Sequence, residues 1–254
     1  MPMFYLNVMG RKPSTVYVAA IDMDGTIIDS KNESFYLTEE CFEDVFGYAF
    51  PYKDNPEGFR NDVRFKIEKR GDLFTITHAL HEGIEYSNVR ELREIFPEEY
   101  KKGDELMVYT RKDMMKNNPK KLLSMSHVFK GMDDVIKSLD AHGQVKHGVA
   151  TNKPTEVAEF YMHNLNLPSD FIVGSETQDG RKGQLIHISN SFTGMKNITL
   201  YDDLRHNLLI AQELGAHPVA ATHGYGTPEE IKDFEQASPE EFLEVFSQHH
   251  GIKL

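Results

Sequence analysis

The chain has 254 residues, a formal charge of −12, 39% hydrophobic and 27% charged residues, and one cysteine, Cys41. That length suits a large core with a smaller module, the acidic balance argues against a nucleic-acid partner, which needs a basic face, and a lone cysteine excludes an intrachain disulfide. No run is apolar and long enough to span a membrane, and Met1–Met9 is too short and interrupted for a signal peptide, so a cytoplasmic location is expected.

From Val16 to Ile21 the chain is apolar and partly β-branched, which predicts a buried strand. It runs into Asp22-Met23-Asp24-Gly25-Thr26. Residues 31–121 then read as helical. Ser34–Tyr48 carries Phe35, Leu37, Cys41, Phe42, Val45 and Phe46, mostly at helical spacing. A basic segment, Arg60–Lys69, and the stretches Leu73–His81, Val89–Phe96 and Glu98–Lys116 follow, with Gly71, Gly83 and Pro97 as breaks. Near Val128 strands and helices begin to alternate. Met132–Ala141 predicts an amphipathic helix, Val145–Ala150 a strand, Thr155–Leu165 a helix and Phe171–Gly174 a strand. Lys182–Ser191 fits neither pattern clearly. Asn197–Tyr201, Arg205–Leu214 and His217–Thr222 predict strand, helix and strand. Ser238–Ser247 predicts a closing helix with Ser238 as N-cap and Pro239 next. The alternation implies an α/β core with a Rossmann-like parallel sheet and right-handed crossovers. The expected division is a core of residues 1–30 and 122–254 and a helical cap of residues 31–121.

Three predicted strand ends carry chemistry-capable residues: Asp22 and Asp24, then Thr151, then Asp202 and Asp203. In a parallel sheet these ends share one edge, where ligands bind. Burying carboxylates at a strand tip costs several kcal/mol unless a cation compensates them. Asp22 can act as a nucleophile and Asp24 can move a proton. Mg²⁺ accepts one or two carboxylates and keeps several waters. Asp22 and Asp202 are candidate ligands, with the Asp24 carbonyl as a third oxygen and Asp203 direct or through water. Gly25 allows a sharp turn into Thr26. Thr151, Asn152 and Lys153 are candidate substrate-binding residues, together with Gly25 and Thr26. A negative chain needs local cations to hold an anion.

Asp22-Met23-Asp24-Gly25-Thr26 resembles the first motif of the haloacid dehalogenase superfamily. Gly148-Val149-Ala150-Thr151-Asn152-Lys153-Pro154 is similar to its second motif and Leu200-Tyr201-Asp202-Asp203 to its fourth, in the branch resembling phosphoglycolate phosphatase. Gly131 and Thr222-His223-Gly224-Tyr225-Gly226 are also similar to that branch. The resemblance implies a Mg²⁺-dependent phosphatase that passes through an aspartyl phosphate, acts on a small phosphorylated metabolite, and carries its cap after the first motif. Two departures stand out. The usual Lys-Pro of the third motif is missing, with Lys182-Gly183 near its place, so the resemblance implies Lys182 as the catalytic lysine, with Arg181 adjacent and Lys153 a competitor, and Asn207 stands where a later Asp is common. Alternatives are a phosphomutase using the same residues, a metal-independent haloacid dehalogenase, for which Asp24 is unneeded, and a binding protein that keeps only the fold. The basic cluster Arg60, Arg64, Lys66, Lys69 and Arg70 reads as a solvated helix face or as a clamp for the far end of an acidic substrate. His78 and His81 read as surface histidines, His249-His250 as a disordered end, and the insert's phenylalanines as its core.

Overall fold

β1 (Tyr17–Ile21) is buried on both faces, as its apolar run requires. Ala19 and Ile21 face one hydrophobic cluster and Val18 and Ala20 the other, the period-two alternation of a strand. The computed structural model describes residues 15–254, so the Met1–Met9 segment lies outside the described residues. Among those described, no helix is long and apolar enough to cross a membrane.

Five more strands complete the main sheet: β4 (Val145–Ala150), β5 (Phe171–Val173), β6 (Ile198–Asp202), β7 (His217–Ala221) and β8 (Glu235–Ala237). All pair in parallel, in the order β5-β4-β1-β6-β7-β8. β8 is an edge strand the sequence reading lacks. Its three residues give too short a pattern to register. β1 lies between β4 and β6, with Ile21 level with Val149 on one side and Tyr201 on the other. The chain fills one side of β1 first and the other afterwards. That reversal opens a crevice at the carboxyl ends of these three strands.

Helices cover both faces. α7 (Met132–Asp140), α8 (Thr155–Asn164) and α12 (Pro239–His250) pack on the Ile21 side, and α9 (Gly180–Phe192) and α10 (Arg205–Leu214) on the Val18 side. The short α11 (Pro228–Ile231) precedes β8. The undecided Lys182–Ser191 segment is thus helical. α12 begins with a capping box in which Ser238 and Glu241 satisfy each other's backbone N–H groups. Contrary to expectation, His249 and His250 are its ordered last turn. His249 stacks on His217 at 3.6 Å between ring centroids, and His250 Nε2 lies 2.9 Å from Thr199 Oγ1.

β2 (Ile28–Asp29) and β3 (His127–Val128) pair antiparallel and tie together the two passages between the core and the helical insert. The insert holds α1 (Lys31–Phe46), α2 (Pro56–Asp62), a 3-10 turn at Arg64–Lys66, α3 (Asp72–Glu82), α4 (Val89–Ile95), α5 (Pro97–Asn117) and α6 (Pro119–Ser124). Its centre is aromatic. Phe42, Phe50 and Phe59 are buried, and the Phe42 ring meets Phe50 edge-on at 5.4 Å. His78 belongs to this cluster rather than to the surface: it stacks on Phe46 at 4.3 Å and its Nδ1 lies 2.8 Å from the Tyr48 hydroxyl. His81 is exposed, as expected. The basic Arg60–Lys69 segment is not one helix. It breaks after Asp62, and residues 67–71 run irregularly beside the sheet edge.

Candidate active site

Asp22 follows β1 directly and is buried. Its backbone N–H donates to the Tyr201 carbonyl of β6 at 2.9 Å, which fixes the strand tip. Asp202 ends β6 and Asp203 follows it, both fully buried. One carboxylate oxygen from each of Asp22, Asp202 and Asp203 lies within 4.8 Å of the others. Three acids this close repel one another. Burial, with Asp202 beside it, pushes the Asp22 carboxyl well above the usual range, and Arg181 offsets part of that rise. Burial and Asp202 push Asp203 up to about 7. One Asp203 oxygen, Oδ2, accepts the Tyr225 N–H at 2.6 Å, while Oδ1 has no hydrogen-bond partner among the described residues. Buried oxygens with an unmet acceptor are the donor set a hard divalent cation takes, so these residues fit Mg²⁺. Asn207, in α10, donates to Asp202 Oδ2 at 3.0 Å and thereby orients it.

The turn after β1 is shaped by its neighbours. Gly25 has φ +90°, and a Cβ there would overlap the Asp203 carboxylate. Thr26 is buried below the turn, with its carbonyl 2.8 Å from His223 Nε2. Gly25 and Thr26 therefore build the turn without lining the cavity. The Asp24 carboxylate does not join the acidic triad. It accepts from Ser30 Oγ at 2.5 Å and lies 3.0 Å from Lys153 Nζ.

Thr151 ends β4 and is buried, and its hydroxyl accepts the Lys153 N–H at 3.1 Å. Asn152 and Lys153 follow at the sheet edge. Thr151, Asn152 and Lys153 line a cavity of about 70 Å³ with Asp22 and Asp24. The insert supplies its far wall through Arg64, Lys69, Arg70 and Arg111. Arg64 is buried with its guanidinium 4.2 Å from the centre of the Tyr225 ring. The cations of this cavity outnumber its acids, which reverses locally the negative sign of the whole chain. Arg60 is not among them. It pairs with Glu57 at 3.4 Å and with Asn32.

Lys182 is a correction. Its side chain is exposed, and the preceding residue takes the inward place. Arg181 is buried, 2.5 Å from Asp22 Oδ1 and 3.0 Å from Asp202 Oδ2, and it donates to the Ala150 carbonyl and to Gln184 Oε1. The reason is helical geometry. Arg181, Gln184, Leu185 and Ile188 form the buried stripe of α9, and Lys182 lies about 100° away from Arg181. That stripe was present in the sequence as the spacing i, i+3, i+4, i+7. Two further residues, Glu33 and Arg111, are buried beside Lys153 and carried no motif that sequence reading could find.

The profile of the haloacid dehalogenase-like hydrolases matches residues 18–185, about two thirds of the chain. A comparison with curated protein sequences finds no match. Among solved structures, a protein designated a predicted phosphoglycolate phosphatase from Haemophilus somnus superposes with a TM-score of 0.65 at 15% identity, covering 92% of this chain and 99% of that one. One designated a candidate phosphoglycolate phosphatase from Lactobacillus delbrueckii subsp. bulgaricus gives 0.69 at 18% identity, with 91% and 98% covered. One designated a candidate β-phosphoglucomutase from Thermotoga maritima gives 0.57 at 16% identity, with 92% and 99% covered. At these identities the structural likeness speaks for the fold. The profile match, which spans about two thirds of the chain and includes Asp22, Asp24 and Thr151, assigns the chain to the haloacid dehalogenase-like hydrolase family.

Proposed function

We propose that this hydrolase is a Mg²⁺-dependent phosphatase of small soluble phosphomonoesters, working through a phosphorylated Asp22. The observation that carries the proposal is the placement of Asp22. It is a strand-tip carboxylate that opens into a cation-lined cavity beside Asp24 and stands against Asp202, Asp203 and Arg181. The cavity has room for about half a dozen waters, which suits a phosphate with a short organic end.

In this reading an Asp22 oxygen attacks phosphorus in line with the ester oxygen. The P–O ester bond breaks as the P–O bond to Asp22 forms. Asp24 gives its proton to the departing oxygen, so an alcohol leaves. Asp24, now a carboxylate, takes a proton from water. The hydroxide oxygen attacks phosphorus, free phosphate departs, and Asp22 is restored. Asp22, Asp202, Asp203 and the Asp24 carbonyl are the residues that would hold Mg²⁺, which when bound supplies positive charge against the phosphoryl oxygens. Thr151 and Lys153 are suited to donate to those oxygens, and Arg181 to hold Asp22 and Asp202 in place. The helical insert serves as the cap that excludes water.

The test is phosphate release from p-nitrophenyl phosphate with and without Mg²⁺, combined with mass spectrometry of acid-quenched enzyme. The expected result is Mg²⁺-dependent release and one phosphoryl group on Asp22, absent from Asp22→Asn. Turnover by a folded Asp22→Asn protein would rule out the covalent route. A phosphomutase would become phosphorylated yet return phosphate to a sugar phosphate instead of releasing it.

A further inference from the structure

Glu33 has no part in the chemistry above, yet its carboxylate is fully buried in the first turn of α1, where the chain leaves the core for the insert. A lone carboxylate is not tolerated there. Its partners come from four places. Oε1 accepts from Arg111 Nε, in α5, at 2.5 Å. Oε2 accepts from Tyr161 in α8 at 2.9 Å, from Ser126 on the return passage at 3.2 Å, and from Lys153 Nζ at 3.3 Å. The same Nζ lies 3.0 Å from Asp24 Oδ1. A row of alternating charge therefore runs Asp24, Lys153, Glu33, Arg111, from the sheet edge into the longest helix of the insert. Burial alone would raise the Glu33 pKa, but Lys153 and Arg111 hold it down to about 2, so Glu33 stays ionised near neutrality.

Lys153 is almost wholly buried, so the acids beside it decide where its ammonium sits. Asp24 is one and Glu33 the other. Without Glu33, two buried cations lose the anion between them, which is strongly unfavourable. Lys153 then shifts, and Asp24 shifts with it. We infer that Glu33 is a positioning residue: it sets the Lys153–Asp24 pair for proton transfer to the leaving group, and through Arg111 it makes that setting depend on docking of the insert. The inference rests on the proposed role of Asp24. A purely structural Glu33 would hold the insert in place without touching the proton-transfer step.

Leaving-group dependence separates the two. A dinitrophenolate departs without a proton, whereas a phenolate needs one. On the Mg²⁺-loaded full-length protein, kcat/KM is measured for phenyl, p-nitrophenyl and 2,4-dinitrophenyl phosphate, a quantity that reports the phosphoryl-transfer step. Glu33→Gln should lower the phenyl phosphate value about tenfold more than the 2,4-dinitrophenyl value, a fraction of what a general acid contributes. Tyr161→Phe, which removes one donor and keeps the shape, should show the same trend more weakly, and it decides the matter if Glu33→Gln does not fold. Arg111→Lys should shift the ratio in the same direction, and combining it with Glu33→Gln should add little. Equal losses on all three substrates would overturn the positioning role, and an unchanged ratio in Arg111→Lys would overturn the link to the insert. If wild-type protein cleaves none of the three, the phosphatase reading fails. Crystal structures of wild type and Glu33→Gln then decide: a displaced Lys153 ammonium supports the positioning role, and an unmoved one overturns it.

Discussion

Arg181 and Lys182 are adjacent cations with opposite fates, one buried against Asp22 and Asp202, the other in solvent. Their substitutions should differ accordingly. Losing a buried charged donor at the reacting centre costs about 10²–10³-fold in rate, so Arg181→Met should lose at least about a hundredfold in kcat/KM. Lys182→Ala should stay within about twofold, as exposed residues do. Steady-state kinetics on variants checked for folding by circular dichroism tests both. Glu33 gives a second residue-level expectation, for stability. Its folded pKa is depressed to about 2 from an ordinary 4.5. The stabilisation is therefore complete above the unfolded value and fades as pH falls from about 4.5 through about 2. The stability gap between wild type and Glu33→Gln in urea unfolding should be widest near neutrality and shrink over that window. A gap independent of pH would mean the Glu33 charge contributes nothing.

The insert is the element with most to explain, because its helices both fill a core and face the cavity. Phe42 is fully buried among aromatic rings. Truncating such a side chain typically costs about 3–5 kcal/mol, so Phe42→Ala should lower the free energy of unfolding by that amount, measured by chemical denaturation. The basic segment divides by function. Arg64 lines the cavity and stacks on Tyr225, whereas Arg60 is tied to Glu57 and Asn32. Arg64→Ala should raise KM for an acidic phosphorylated substrate more than for p-nitrophenyl phosphate, which lacks the second anionic end. Arg60→Ala should change neither appreciably. Equal effects of Arg64→Ala on both substrates would limit Arg64 to packing on Tyr225.

For the molecule as a whole, the sheet order matters more than any single strand. Placing β1 between β4 and β6 brings Asp22, Thr151, Asp202 and Asp203 to one edge although about 180 residues of chain separate the first from the last. The acids gathered there repel, and a bound divalent cation should relieve the repulsion. Mg²⁺ should therefore raise the melting temperature, by mass action on the native state, and Asp203→Asn should shrink the shift. Calorimetry with and without chelator reads this without reference to turnover. Chelation should also stop phosphate release, with added Mg²⁺ restoring it. Activity that survives thorough chelation would turn attention to the dehalogenase reading.

Much of this was local and so visible in the sequence. The buried strand ending at Asp22, the alternation after Val128, the N-cap at Ser238 and the acidic strand ends follow from periodicity and residue chemistry, which act over a few residues. The α9 stripe that turns Arg181 inward was equally local and could have been read from its spacing. Tertiary structure decided what depends on contacts across long stretches of chain. It set the strand order, drew Arg64 but not Arg60 into the cavity, ordered His249 and His250 against β6 and β7, and buried Glu33 among Arg111, Ser126, Lys153 and Tyr161. A glutamate in a helix's first turn looks the same whether solvent or four buried donors surround it. Its charge acquires a purpose only when segments up to 128 residues apart close around it, because desolvation makes the pairing obligatory.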